Sequence, residues 1–184
     1  MPFDVETVSA SDDLAAHFIE SQLDAGEGPS WDAHRSQAPV LVPHLGEVSP
    51  VRWPIFGQAI AESGVRALYS FPLAIGSLRM GAVDLYAESA DALSPNAIDL
   101  ATDLVARSAA DVLEHALRTR SLEPSDDSPF SRREVHQATG MVIAQLRIPP
   151  TEALLRIRAH AFASGRSVRE TAADITSRRL TLEP

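Results

Sequence analysis

The chain has 184 residues, 45% of them hydrophobic, a formal charge of −9, and neither cysteine nor lysine. Its length fits one medium domain or two small ones. The missing cysteine excludes disulfides, thiolate metal sites and cysteine nucleophiles; the missing lysine excludes a P-loop lysine, a Schiff base and a lysine-dependent phospho-receiver. No apolar run approaches the roughly 20 residues of a membrane span. The acidic start Met1-Pro2-Phe3-Asp4 lacks a basic-then-apolar signal, so a cytoplasmic protein is expected.

Residues 12–23 have the spacing of an amphipathic helix, with Leu14, Phe18 and Leu23 in phase and Ser11 as its cap. Residues 24–30 form a turn-rich break, and 38–42 a short buried strand. Residues 54–63 are expected to be helical, with Ile55, Ala59 and Ile60 inward and Gly64 past the end. Two strands follow, 67–73 and 77–86, joined by Ala74-Ile75-Gly76-Ser77; the mixing of Leu78, Met80, Ala82 and Leu85 with Arg79 and Asp84 suits a half-exposed antiparallel strand. Ser94-Pro95 opens a long helix to Arg120, with Ile98, Ala101, Leu104, Val105, Ala109, Val112 and Ala116 at helical spacing. Residues 1–120 are therefore expected to form an α+β domain, an antiparallel sheet with flanking helices. Residues 121–130 are acidic and proline-bearing and make a linker.

Residues 131–184 change character. Ser131-Arg132-Arg133-Glu134 has the form of a capping box, and Val135, Ala138, Val142 and Leu146 then mark one face of a helix. Pro149-Pro150 ends it. A second helix starts near Pro150 or Thr151, buries Leu154, Ile157 and Ala161, and stops at Gly165. Ser167-Val168-Arg169-Glu170 is another capping box, opening a third helix with Val168, Ala172 and Ile175 inward. The three helices make one compact module.

Charge separates the two halves. Residues 128–184 hold nine arginines against five acids, net +4, and residues 1–127 hold seven basic and twenty acidic residues, net −13. Such asymmetry signals a polyanion held at the basic end. On the first helix of the module Arg133, Gln137 and Gly140 share one stripe, with Arg132, His136 and Thr139 beside it. On the second, Glu152, Arg156 and His160 align at i, i+4, i+8, and Arg166 follows in the turn. A glycine in mid-helix costs about 1 kcal/mol relative to alanine. Either a neighbouring helix or a ligand therefore approaches the backbone at Gly140. Glu152–Arg156 also suits an ordinary i, i+4 pair.

No catalytic grouping emerges. His17, His34, His44, His115, His136 and His160 show no metal-binding spacing, and no G-x-S-x-G elbow is present. Asp84, Tyr69 and Tyr86 are candidates for a cavity on the hairpin, with packing as the plainer role. No enzyme and no cofactor are expected.

Val135-His136-Gln137-Ala138-Thr139-Gly140-Met141-Val142, residues 152–162 and residues 167–175 together closely resemble an ANTAR domain, a family of RNA-binding transcription antiterminators. Many members carry lysine between the alanine and the glycine, where this chain has Thr139. The resemblance implies binding of paired stem-loops in nascent transcripts, which keeps a terminator hairpin from forming. Loop bases splay out while arginines hold phosphates. The residues expected to contact RNA here are Arg132, Arg133, Gln137, Thr139, Gly140, Arg156, His160 and Arg166, with Ala138 letting backbone and ligand approach and Phe162 in the core rather than a stacking platform. Ala67-Leu68-Tyr69-Ser70-Phe71-Pro72-Leu73 and Leu78 to Tyr86 resemble the hairpin of a GAF sensor domain. That implies a small-molecule ligand for the N-terminal domain, control of the ANTAR module, and a homodimer paired along the long helix. Without cysteine, a GAF-type methionine sulfoxide reductase is excluded. The alternative is a small-molecule sensor whose C-terminal helices bind a protein partner.

Overall fold

A computed structural model describes residues 5–121 and 131–183. All but the first residue of the expected linker 121–130 lies outside them. The chain divides into two compact units, one built from residues 8–121 and the other from residues 131–183 with residues 5–7.

The first unit runs α1 (Asp13–Ala25), α2 (Pro29–Ser36), β1 (Val40–Val42), α3 (Leu45–Arg52), α4 (Pro54–Ala59), β2 (Ala67–Ile75), β3 (Leu78–Ala87) and α5 (Pro95–Ser121). The strands form an antiparallel sheet in the order β1-β2-β3. Strand β2 is central and is covered on both faces, so its first five residues are all buried rather than alternating. Ala67, Tyr69, Phe71 and Leu73 pack with Val105 and Ala109 of α5. Leu68 faces the other way, into a cluster with Phe18, Val42, Leu45, Trp53 and Phe56. Period-2 geometry thus builds two cores from one strand.

The expected hairpin strands and the long helix are present, while several local details differ. The first strand is only Val40–Val42, with Leu41 exposed rather than buried, and the helix expected over 54–63 ends at Ala59. Asp12, not Ser11, caps α1, its carboxylate accepting from the Ala15 N–H at 2.8 Å. The break at 24–30 contains only the short turn before α2, which starts at Pro29. Gly28 makes that turn possible: its φ is 134°, and a Cβ there would lie 2.5 Å from Oε1 of Gln22. In α4 Phe56 and Ile60 are buried and Ile55 and Ala59 are exposed. The reason is long-range: Glu27 accepts from the N–H groups of Ile55 (2.7 Å) and Phe56 (3.1 Å), which sets the roll of this short helix. On α5, Leu104 is half exposed and Ala116 exposed, because the sheet covers only the stripe through Ile98, Ala101, Val105, Ala109 and Val112.

The second unit is the three-helix module: α6 (Arg133–Leu146), α7 (Pro150–Ala163) and α8 (Val168–Thr176). Its core joins Val135, Ala138, Val142, Ala153, Ile157, Ala161, Val168, Ala172, Ile175 and Leu182. Alanines on all three helices let the axes approach closely. Helix α6 begins at Arg133 with Arg132 as N-cap and no side-chain capping bond, so the expected box at Ser131 does not form. The box at Ser167 does form, Ser167 Oγ accepting from Glu170 N while the Glu170 carboxylate accepts from Ser167 N. Arg147, at φ 56°, turns the chain out of α6. Beyond α8 the tail returns over the module. Leu182 enters the core, and its carbonyl accepts from Gln145 Nε2 at 2.5 Å.

Candidate nucleic-acid interface

Helix α6 presents its outward stripe as the periodicity predicts. Arg133, Gln137 and Gly140 are exposed, and Ala144 extends the line one turn further. Among the described residues, and leaving aside the chain neighbours and the backbone of α6 itself, no atom lies within 4 Å of where a Cβ on residue 140 would stand. Of the two explanations for a mid-helix glycine, a neighbouring helix is thereby removed. Nothing within the module requires a glycine there, and the helix bears the propensity cost without an internal return. Past Gln137 the backbone at Gly140 is therefore exposed, with no side chain over it.

Three other implicated residues lie on the covered side of α6. Ala138 is fully buried and Thr139 is 5% exposed, its Oγ1 donating to the Val135 carbonyl at 2.7 Å. This hydroxyl is satisfied within its own helix. Arg132 is 4% exposed, and its carbonyl accepts from the His136 N–H at 3.0 Å. These residues set the position of the stripe and do not form its surface.

On α7, Glu152, Arg156 and His160 are half-buried. Arg156 donates to Glu152 at 3.2 Å and to the Glu183 carbonyl at 3.0 Å, so the tail holds it. The fully outward face is apolar instead, with Leu155 62% and Phe162 54% exposed and Ala159 between them. Phe162, expected in the core, therefore points away from it. Helix α7 is apolar on two sides, and spacing alone does not say which side the neighbours cover.

The third face is that of α8. Asp174, 18% exposed, binds Arg166 at 2.6 Å through Oδ2 and Arg179 at 2.6 Å through Oδ1. The two guanidinium groups, Arg166 first, hold its carboxyl below the ordinary value, and the same bond raises Arg166. Arg169 donates to the Ser131 carbonyl at 3.0 Å, tying α8 to the start of α6. Sequence reasoning missed Asp174. Its eight-residue separation from Arg166 spans a helix start, where no i, i+4 rule applies.

In the N-terminal unit the hairpin residues pack. Tyr86 stacks on Phe18 with ring centroids 6.1 Å apart and donates to Asp12 at 3.1 Å. Tyr69 donates to the Asp91 carbonyl. Asp84 accepts from Gln22 Nε2 at 2.7 Å and from the Ser30 and Ser70 hydroxyls at 2.5 Å each. Loss of water raises its pKa above the ordinary carboxylate value, against the pull of those three donors. Among the described residues no cluster of metal-ligating side chains occurs, and no helix is long and apolar enough to cross a membrane.

Compared with known families, residues 130–175 match the ANTAR domain. This segment covers α6 and α7 and nearly all of α8, and stops before Arg179 and the tail. No curated protein and no solved structure matches the chain.

Proposed function

With an ANTAR domain at residues 130–175 as premise, we propose that the chain is an RNA-binding transcription antitermination regulator. The observation that carries this reading is the open stripe Arg133–Gln137–Gly140 on α6. A splayed loop base reaches the backbone at Gly140, Gln137 offers both a donor and an acceptor to its edge, and Arg133 takes a neighbouring phosphate. Arg156 and His160 flank the bound loop, and Arg132, Ala138 and Thr139 act through the shape of the module. The N-terminal unit serves as a GAF-like sensing and pairing domain. Its pairing surface is α5, where Leu100, Leu104 and Leu117 stay more than half exposed.

Gel retardation of an RNA with two tandem stem-loops tests the RNA reading. Retention by the full chain, weakening steadily as salt is raised, is expected. Absence of retention even at the lowest salt refutes it. In that case a protein partner on the C-terminal helices becomes the better account, and the apolar outward face of α7 at Leu155 and Phe162 favours that second reading. Pairing is tested separately by analytical ultracentrifugation. The wild-type chain is expected to sediment as a dimer, and Leu100→Glu with Leu104→Glu as a monomer. A wild-type monomer at all concentrations rejects pairing.

A further inference from the structure

We propose that Arg166 and Arg179, held on the two oxygens of Asp174, form a clamp for a phosphodiester group of the RNA backbone, with Asp174 as its positioning residue. This inference rests on the RNA reading above and adds to the α6 stripe a second anchoring point around Asp174 of α8.

The geometry carries it. Arg166 engages Asp174 Oδ2 through Nη1 (2.6 Å) and the Glu170 carbonyl through Nη2 (3.4 Å). Arg179 engages Oδ1 through Nε (2.8 Å) and Nη2 (2.6 Å). A guanidinium has five N–H donors, so each arginine keeps an unengaged edge. The side chains are 39% and 66% exposed, whereas their shared carboxylate is 18% exposed. One negative charge thus holds two positive ones that are more exposed than it is. The nearby Glu170 is turned to the start of α8, accepting from the N–H and hydroxyl of Ser167 at 2.9 Å each. Arg178, next to Arg179 in the chain, is also exposed. Asp174 also fixes the chain carrying Arg179, because its carbonyl accepts from the Arg179 N–H at 2.8 Å. An arginine whose rotamer is already set forfeits less freedom on meeting a phosphate than one that must be ordered from solution.

The rival account is a plain staple that fastens the α7–α8 turn and the tail to α8. The two differ in salt dependence. The probe is a 5′-fluorescein-labelled 20-nucleotide oligouridylate, whose phosphates are presented without a fold, titrated with the full chain by fluorescence anisotropy. Arg166→Ala with Arg179→Ala is expected to make the slope of log K against log salt shallower by about 1.4, two contacts at about 0.7 each, and to weaken binding about 20-fold near 0.1 M salt. Arg166→Lys with Arg179→Lys should restore the slope, because the charges return, but not the full affinity. Asp174→Asn should keep the slope and lower affinity about threefold, and should have no such effect when both arginines are absent. An unchanged slope in the double alanine variant overturns the clamp, as does tighter binding by Asp174→Asn or a wild-type chain that ignores the oligouridylate. If tandem stem-loops are still retained by the wild type, only the clamp falls and the RNA reading stands.

Discussion

Replacing Gly140 with leucine is expected to stabilise the three-helix unit by about 0.8 kcal/mol while lowering its affinity for a tandem stem-loop RNA about a hundredfold. The two effects have opposite signs because they have different origins. Leucine is a good helix former, glycine a poor one, and the space over residue 140 is open for a side chain. Stability should therefore rise, read as a higher melting point of the far-UV circular dichroism signal from α6 to α8. The same side chain stands where a base would meet the backbone, and a contact made through the main chain has no way to accommodate it. Loss of stability would mean that something in the molecule already occupies that space. Unaltered RNA binding would move the interface off α6.

Asp84→Ala is expected to destabilise the N-terminal unit by about 3 kcal/mol, with a fall in its melting temperature of about 10 °C. The carboxylate collects donors from α1, α2 and β2 at one point of β3, and without it the amide of Gln22 (1% exposed) and the hydroxyl of Ser70 (fully buried) are left unpaired. Unpaired buried donors cost more than the net worth of the bonds they made. Both tryptophans of the chain, Trp31 and Trp53, are buried in this unit, so their fluorescence follows its unfolding alone. The pH dependence has a definite sign. Burial raises the Asp84 pKa from its ordinary value of 3.8, so its protonated form is favoured by folding. Its contribution to stability is greatest below 3.8 and is lost as pH rises through the folded value. Wild type should therefore gain stability relative to Asp84→Asn as pH is lowered from neutral toward that value. A difference that stays constant with pH would show that Asp84 titrates like a solvated carboxylate.

The sequence by itself determined the parts of this protein that obey short-range rules. The inward residues of α6, the box at Ser167, the exposed line Arg133–Gln137–Gly140 and the span of α5 all follow from spacings of three to four residues, and the prolines at 149 and 150 mark the start of α7. The β2–β3 hairpin follows from the two-residue alternation of a strand and the turn at Gly76. The eight-residue helices α2 and α3 were not legible, since two turns give too little periodicity, α2 begins in a glycine- and proline-rich stretch, and α3 contains Pro50.

Only the tertiary structure decided which side of an ambiguous helix is covered. Phe162 is exposed and Ala153 buried on a helix with apolar residues on both sides, and Ile55 is exposed because Glu27 holds the start of α4. It also decided where polar and charged groups meet: Asp84 with the amide of Gln22 and the hydroxyl of Ser70, and Asp174 with Arg166 and Arg179. Helix and strand periods repeat within a few residues, so they are written locally. Burial and ion pairing depend on neighbours brought together from distant positions, which appear only when the chain has folded.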